Sequence, residues 1–387
     1  MKRLLLCVSS VLVLMLLAGC GDKTPTQKPS SPAATRVEDG SSEVAKGFEA
    51  LAQDDPTAAL AAFATAAAKC ETNFEARLQL AIVKMRLGDV AGANAASAEA
   101  LALCPESAEA NLADGQAAYL QRDYKRALAD FDKIAKEKSL PSALRSEAWA
   151  GRGVVELAQT QPDAARLSFL RAMRLNRRNA AAWYHLGVLY RDTYKFDAAA
   201  HEQFEMAGRL LNPKDERAKK ISRDVLPALR KSLAASAAAK PGVAKRDPAA
   251  AAKLLKEGQS MQSRKMITKA LGKFEAAWAA DPLSGPAALA FAQLKVRNIK
   301  NAGDVDKVLK AYRAAIDQNP TAQAVYLEAA QLAYKNERWS TTAAIMNRAA
   351  AHDPENHRTL DLLIAALRKS GKAKLAEAWQ AYRGELR

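Results

Sequence analysis

From residue 43 to the end of the chain, apolar and small residues recur at helical spacing in blocks of about 34 residues, divided by short polar turns. Cys70 and Cys104 stand 34 residues apart, Ala59, Ala93 and Ala127 keep the same period, and Ala165 follows after one slip. Each block predicts two amphipathic helices with a small residue where the pair comes closest. A single helix pair cannot bury its own apolar flank, so a period of this kind predicts hairpins stacked into a solenoid. Ala runs such as Ala66 to Ala68 and Ala249 to Ala252 favour helix and allow close approach of helices, and no useful stretch alternates as a strand would. The expected fold class is all-α.

The pattern breaks in three places. Lys2 and Arg3 precede an apolar stretch, Leu4 to Ala18, that is shorter than the about 20 residues needed to span a bilayer and ends in Leu17-Ala18-Gly19-Cys20. Residues 1–19 therefore read as a targeting segment. Residues 20–42, which include Lys28-Pro29-Ser30-Ser31-Pro32, cannot bury enough to fold and read as a tether reaching roughly 25 Å. A first array is expected at 43–213 and a second at 248–387. Between them, 214–247 reads as a solvated basic helix, Glu216 to Ala235 with Pro227 inside it, followed by a linker containing Lys240-Pro241-Gly242. The alternative is one continuous solenoid with a capping helix in its middle.

The clearest unit holds Gly258, Ala270, Phe274, Ala277 and Pro282 and ends in Lys273-Phe274-Glu275-Ala276-Ala277-Trp278-Ala279-Ala280-Asp281-Pro282. Trp183, Leu186, Gly187, Tyr190 and Phe204 form another, and Trp149, Gly153, Ala165, Phe169 and Ala172 a third. Weaker copies at Gly47 and Phe63, Ala81 and Ala93, Gly115 and Phe131, Tyr312 and Pro320, Tyr326 and Pro354, and Ala376 and Trp379 bring the total to about nine. This pattern resembles the tetratricopeptide repeat. The resemblance implies a scaffold that holds protein partners, with inner helices lining a groove. By the repeat register its candidate groove residues are Gln116, Tyr119, Tyr184, Arg191, Gln331, Tyr334 and Lys335. The Lys and Asn set with which chaperone-binding repeats clamp a terminal carboxylate is missing at the matching positions, for example Leu112, Tyr184 and Leu327.

Leu17-Ala18-Gly19-Cys20 resembles the bacterial lipobox. That implies cleavage before Cys20, a diacylglycerol thioether on its sulfur and a stable anchor of two or three acyl chains. Gly21, rather than an Asp, after the lipidated position favours the outer membrane, with the protein facing the periplasm. Together the two resemblances imply an envelope lipoprotein that serves as adaptor in a motility, pilus, secretion or outer-membrane assembly complex.

Charge adds one feature. The chain carries a formal +16, with 26% charged residues, 49% hydrophobic and 6% aromatic. Fourteen Lys or Arg against five acidic residues fall between Lys214 and Lys265, so more than half the excess sits in the junction and the stretch directly after it. Lys219, Lys220, Arg230 and Lys231 are the candidate polyanion-binding residues, for cell wall, lipopolysaccharide or anionic lipid headgroups; nucleic acid is not an expected partner. His185, His201, His352 and His357 stand in no His-Glu-x-x-His array, and no phosphate loop or nucleophile elbow occurs. No metal, no cofactor and no enzymatic activity are expected. Cys70 and Cys104 form a candidate disulfide: an oxidising compartment permits it, while equivalent points of adjacent hairpins lie about 8 to 10 Å apart and a bridge needs Cα atoms within about 7 Å.

Overall fold

A computed structural model describes residues 40–238 and 246–386, side chains of 235–238 excepted. The targeting segment, Cys20, nearly all of the tether and Lys240-Pro241-Gly242 lie outside the described residues. Among these the architecture is entirely helical. The chain divides into two compact units, the first ending at His185 and the second beginning at Leu186.

Unit 1 holds four hairpins: α1 (Ser41–Ala52) with α2 (Pro56–Lys69), α3 (Phe74–Leu87) with α4 (Val90–Leu103), α5 (Ala108–Leu120) with α6 (Tyr124–Lys136), and α7 (Ser142–Ala158) with α8 (Pro162–Leu175). The second helix of each of the first three packs on the first helix of the next, and α3, α5 and α7 also meet in sequence, which is solenoid stacking. Unit 2 opens within α9 (Ala180–Leu189), which runs into a π-helical turn at Tyr190–Tyr194 and pairs with α10 (Asp197–Leu210). Next come α11 (Glu216–Lys220), a second π turn at Ile221–Val225 and α12 (Leu226–Ala238). Four more hairpins complete the chain: α13 (Pro248–Ser263) with α14 (Ile267–Ala280), α15 (Gly285–Lys295) with α16 (Ala302–Gln318), α17 (Gln323–Lys335) with α18 (Trp339–His352), and α19 (His357–Lys369) with α20 (Ala373–Gly384). The hairpins among the described residues thus number nine, as the repeat reading expects.

The polar turns of the sequence act at the helix ends. Asp55, Asn73, Asp89, Ser107, Asp123, Asp247, Ser284 and Asn356 each accept a backbone N–H of the following helix, satisfying donors that have no partner inside it. Within eight of the nine hairpins the chain reverses through one left-handed residue, Asp54, Gly88, Arg122, Thr160, Lys195, Lys265, Glu337 or Gly371, while α15 leads to α16 through a 3-10 turn at Val296–Asn298. In most of these turns the amide that follows reaches back to a carbonyl five residues earlier, as Asp123 N donates to Ala118 O and Gln161 N to Glu156 O, closing the helix in a Schellman manner.

Small residues set how closely the two helices of a pair approach. A Cβ on Gly47, Gly153 or Gly258 would lie 2.5 to 2.6 Å from the ring of Phe63, Phe169 or Phe274, the buried aromatic of the same hairpin. The aromatic therefore fills the interior of its own pair. Phe131 does this and more: its ring lies under Gly115 of α5 and also under Gly151 of α7, so it closes the joint between hairpins as well.

The basic junction differs from the solvated helix read from the sequence. Ala218, Ile221, Val225 and Leu229 form a buried stripe on α11 and α12, which pack against α10, and α12 also reaches α16 within unit 2. The stripe recurs at helical spacing and continues through the π turn at Ile221–Val225. Glu202 of α10 meets His352 of α18, 3.2 Å from its Nδ1.

Candidate functional site

The groove candidates fall into three environments. Gln116 and Tyr119 lie on one face of α5, both partly exposed, with the Tyr119 ring 6.2 Å from that of Tyr124; burial raises the Tyr119 hydroxyl pKa. Tyr184 is only 7% exposed, so its side chain belongs to the core, edge-on to His185, which itself stacks on Phe169 at 5.7 Å. Its groove assignment is corrected: register places it on the inner helix, but the neighbouring aromatics cover the ring. Arg191 sits in the π turn, holds Asp192 through two hydrogen bonds of 2.6 and 2.8 Å, and lies 5.4 Å above the Phe204 ring. The hydrogen bonds from Arg191 keep the Asp192 carboxyl below its ordinary pKa.

The third environment is the most open. Gln331 and Lys335 are exposed on α17, and Tyr334 between them packs edge-on against Trp339 of α18 at 4.7 Å. Lys369 of α19 reaches over the same indole at 5.9 Å. Structure thus joins the three sequence candidates to Trp339 and Lys369, which sequence reasoning missed. Two rings and two ammonium groups on adjoining helices suit a partner that offers an apolar anchor beside a carboxylate.

A polar cluster in unit 1 was also missed. Where the other early hairpins carry a buried Phe, the second carries Ser97, fully buried, whose Oγ donates to Asp114 Oδ1 at 2.7 Å. Asp114, 4% exposed, also accepts from Arg126 Nε at 3.0 Å and Nη2 at 2.9 Å, and Arg126 extends to Asn94 of α4. Asp130 of α6 completes the group, with its Oδ2 buried and unpartnered. Burial, then the charge of Asp114, pushes the Asp130 carboxyl up to about 7. The signal in the sequence is the break in the repeat itself: a Ser at 97 and an acidic residue beside Gly115. On α7, the Trp149 ring is met by the guanidinium groups of Arg152 and Arg171, at 5.2 and 4.9 Å. Arg152 also holds Asp132 and Glu156, and Ser168 Oγ donates to Glu156 at 2.6 Å.

Lys219, Lys220, Arg230 and Lys231 are all exposed on α11 and α12. Lys219 pairs with Glu216 at 2.6 Å, and Arg230 reaches Glu205 at 3.5 Å. Cys70 and Cys104 occupy the C-caps of α2 and α4, equivalent points of successive hairpins, as their period requires. Cys70 is a free thiol, with Sγ 3.4 Å from Thr72 Oγ1, so the candidate bridge to Cys104 is not formed. The lateral spacing of stacked helices exceeds what a disulfide spans. Cys20, the lipidation candidate, lies outside the described residues. Among those residues no helix is long and apolar enough to cross a membrane, and no three His, Cys, Asp or Glu side chains cluster as metal ligands.

Residues 78–141 and 150–210 match the tetratricopeptide repeat family model. Those two segments carry tetratricopeptide repeats. No curated protein matches it. Among solved structures, Pseudomonas aeruginosa pilF is similar at 16% identity and TM-score 0.39, over 67% of this chain and 98% of that one. A thermophilic tetratricopeptide protein of Thermus thermophilus is similar at 22% identity and TM-score 0.41, over 47% of this chain and 97% of that one. The Cut9–Hcn1 hetero-tetramer of the APC/C is similar at 14% identity and TM-score 0.36, over 91% of this chain and 79% of that one. Tetratricopeptide repeats in general form non-catalytic scaffolds for protein–protein interaction.

Proposed function

We propose that this protein is a lipid-anchored adaptor that gathers protein subunits of an envelope complex, and that the face of α17 to α19 is one of its docking points. The carrying observation is the grouping of Gln331, Tyr334 and Lys335 with Trp339 and Lys369 on the open side of repeat hairpins. Anchoring at Cys20 is supported by Leu17-Ala18-Gly19-Cys20, and a motility, pilus, secretion or outer-membrane assembly complex is the setting that this anchor and a scaffold fold together suit. Affinity purification of the tagged native protein from crosslinked envelopes tests the reading. Wild type should retrieve a defined set of envelope subunits, and Tyr334→Ala with Lys335→Glu should lose some of them while the protein stays membrane-bound. Cys20→Ser should release it from the membrane fraction. Recovery of the protein alone at native abundance, or unchanged membrane association of Cys20→Ser, would sink the respective half of the proposal.

A further inference from the structure

The docking of α11 and α12 onto α10 settles which way their charges point. Ala218, Ile221, Val225 and Leu229 are buried, so the opposite side faces solvent and carries Lys219, Lys220, Arg223, Arg230 and Lys231, all exposed. Across the turn at Ile221–Val225 these five fall on one outward face, about 18 Å long at 1.5 Å per residue. Exposed acids on the same helices are Glu216, which holds Lys219, and Asp224; Glu205 of α10 stands near Arg230. Cations therefore remain in excess. Lys214 adds to one end of the face, and Lys240 and Lys245 follow its other end in the sequence.

We infer that this face docks electrostatically on an anionic lipid surface. Its apolar side is already used inside the protein, so it cannot insert between acyl chains as an amphipathic interfacial helix does. What it offers is a row of charges that complements a layer of phosphate headgroups. No aromatic side chain lies among the five cations to stack on a base, and lysine ammonium groups bind phosphate as point charges without demanding a shaped pocket. A polybasic face and acyl chains are the kind of two-signal combination that holds a protein stably at a bilayer. The inference does not depend on acylation of Cys20, because the face carries its own affinity.

The test is flotation of the full chain bearing Cys20→Ser, so that no acyl chain contributes, with vesicles of phosphatidylcholine alone or with about a third phosphatidylglycerol. Partition onto the anionic vesicles should be at least about tenfold stronger and should fall steeply as salt rises from about 0.05 to 0.5 M. The combined change of Lys219, Lys220, Arg230 and Lys231 to Glu should abolish the difference. The same four changed to Gln should weaken it, which keeps the test open where the reversal disturbs folding. Reversal of Lys253, Lys256, Lys269 and Lys310, exposed elsewhere in unit 2, should leave most of it. Equal binding to both vesicle types, equal loss in both four-residue reversals, or capture of soluble polyphosphate without capture of vesicles would each overturn the assignment.

Discussion

Asp130 should make the second and third hairpins less stable as pH rises, and Asn in its place should remove that effect. Its carboxyl is pushed from 3.8 to about 7, first by burial and then by the Asp114 carboxylate, which Arg126 and Ser97 keep in place. Below about pH 4 both the folded and unfolded chains hold the proton, and nothing is lost. Between about 4 and 7 the unfolded chain releases it while the folded chain keeps it, so the folded state binds more protons and stability falls with pH. Above about 7 the loss levels off. A shift of this size corresponds to about 4 kcal/mol at about 1.4 kcal/mol per pH unit, and partial exposure of the side chain to solvent reduces it to about 2 kcal/mol. Asn carries no charge to bury, and its amide can donate toward Asp114 as the protonated acid does. Asp130→Asn should therefore match wild type at about pH 4 and below, exceed it slightly at pH 5 and exceed it by about 2 kcal/mol at pH 8. Amide hydrogen exchange in α5 and α6, with rates corrected for pH, reads the local opening free energy of a repeat array that does not unfold all at once. Other carboxylates change the pH dependence of both proteins alike, so the difference between variants isolates this group. An equal difference at pH 5 and pH 8 would refute the reasoning.

Thr160 turns the fourth hairpin at φ 58°, a conformation that a β-branched side chain resists, so Thr160→Gly should raise stability by about 1 kcal/mol in urea unfolding, against the usual cost of adding a glycine. Gly258→Ala places a methyl group against the Phe274 ring and should cost about 1 to 3 kcal/mol, with faster exchange confined to α13, α14 and their neighbours. Phe131→Ala should cost more, about 3 to 5 kcal/mol, and should loosen α7 as well as α5 because the ring also lies under Gly151. Arg126→Met leaves the buried Asp114 without its guanidinium and should destabilise by about 3 to 5 kcal/mol, whereas Arg338→Met, whose partner Asp306 is exposed, should change stability by less than about 1 kcal/mol. Equal effects of the last two would contradict the burial assigned to the cluster.

The fold was legible because its determinants are local and periodic. Gly258, Ala270, Phe274 and Ala277 state in sequence how near two helices come and what fills the gap, and each other copy repeats the statement. The turns were legible only in part. Gly88 and Gly371 mark left-handed positions openly, whereas Arg122, Thr160 and Glu337 adopt the same backbone with residues that give no such sign, because closure of the preceding helix outweighs their local preference. The junction misled for a related reason. The charges counted there report composition and draw attention from the stripe Ala218, Ile221, Val225 and Leu229, which keeps ordinary helical spacing and docks the junction onto α10.

Binding residues were harder still, because repeat register assigns a side to each residue but not its surroundings. Tyr184 and Tyr334 occupy inner-helix positions, yet His185 covers one while Trp339 and Lys369 frame the other beside exposed Gln331 and Lys335. The difference lies in side chains that the repeat pattern leaves variable. Specificity in such an array therefore resides where the pattern is interrupted or free. Ser97 replaces an aromatic and brings in the Asp114–Arg126 cluster, and the basic junction buries one side against α10 and exposes Lys219, Lys220, Arg223, Arg230 and Lys231 on the other. The regular positions build stacked hairpins that any partner could meet; the exceptions give those hairpins a charge, a titratable group and an aromatic cluster of their own.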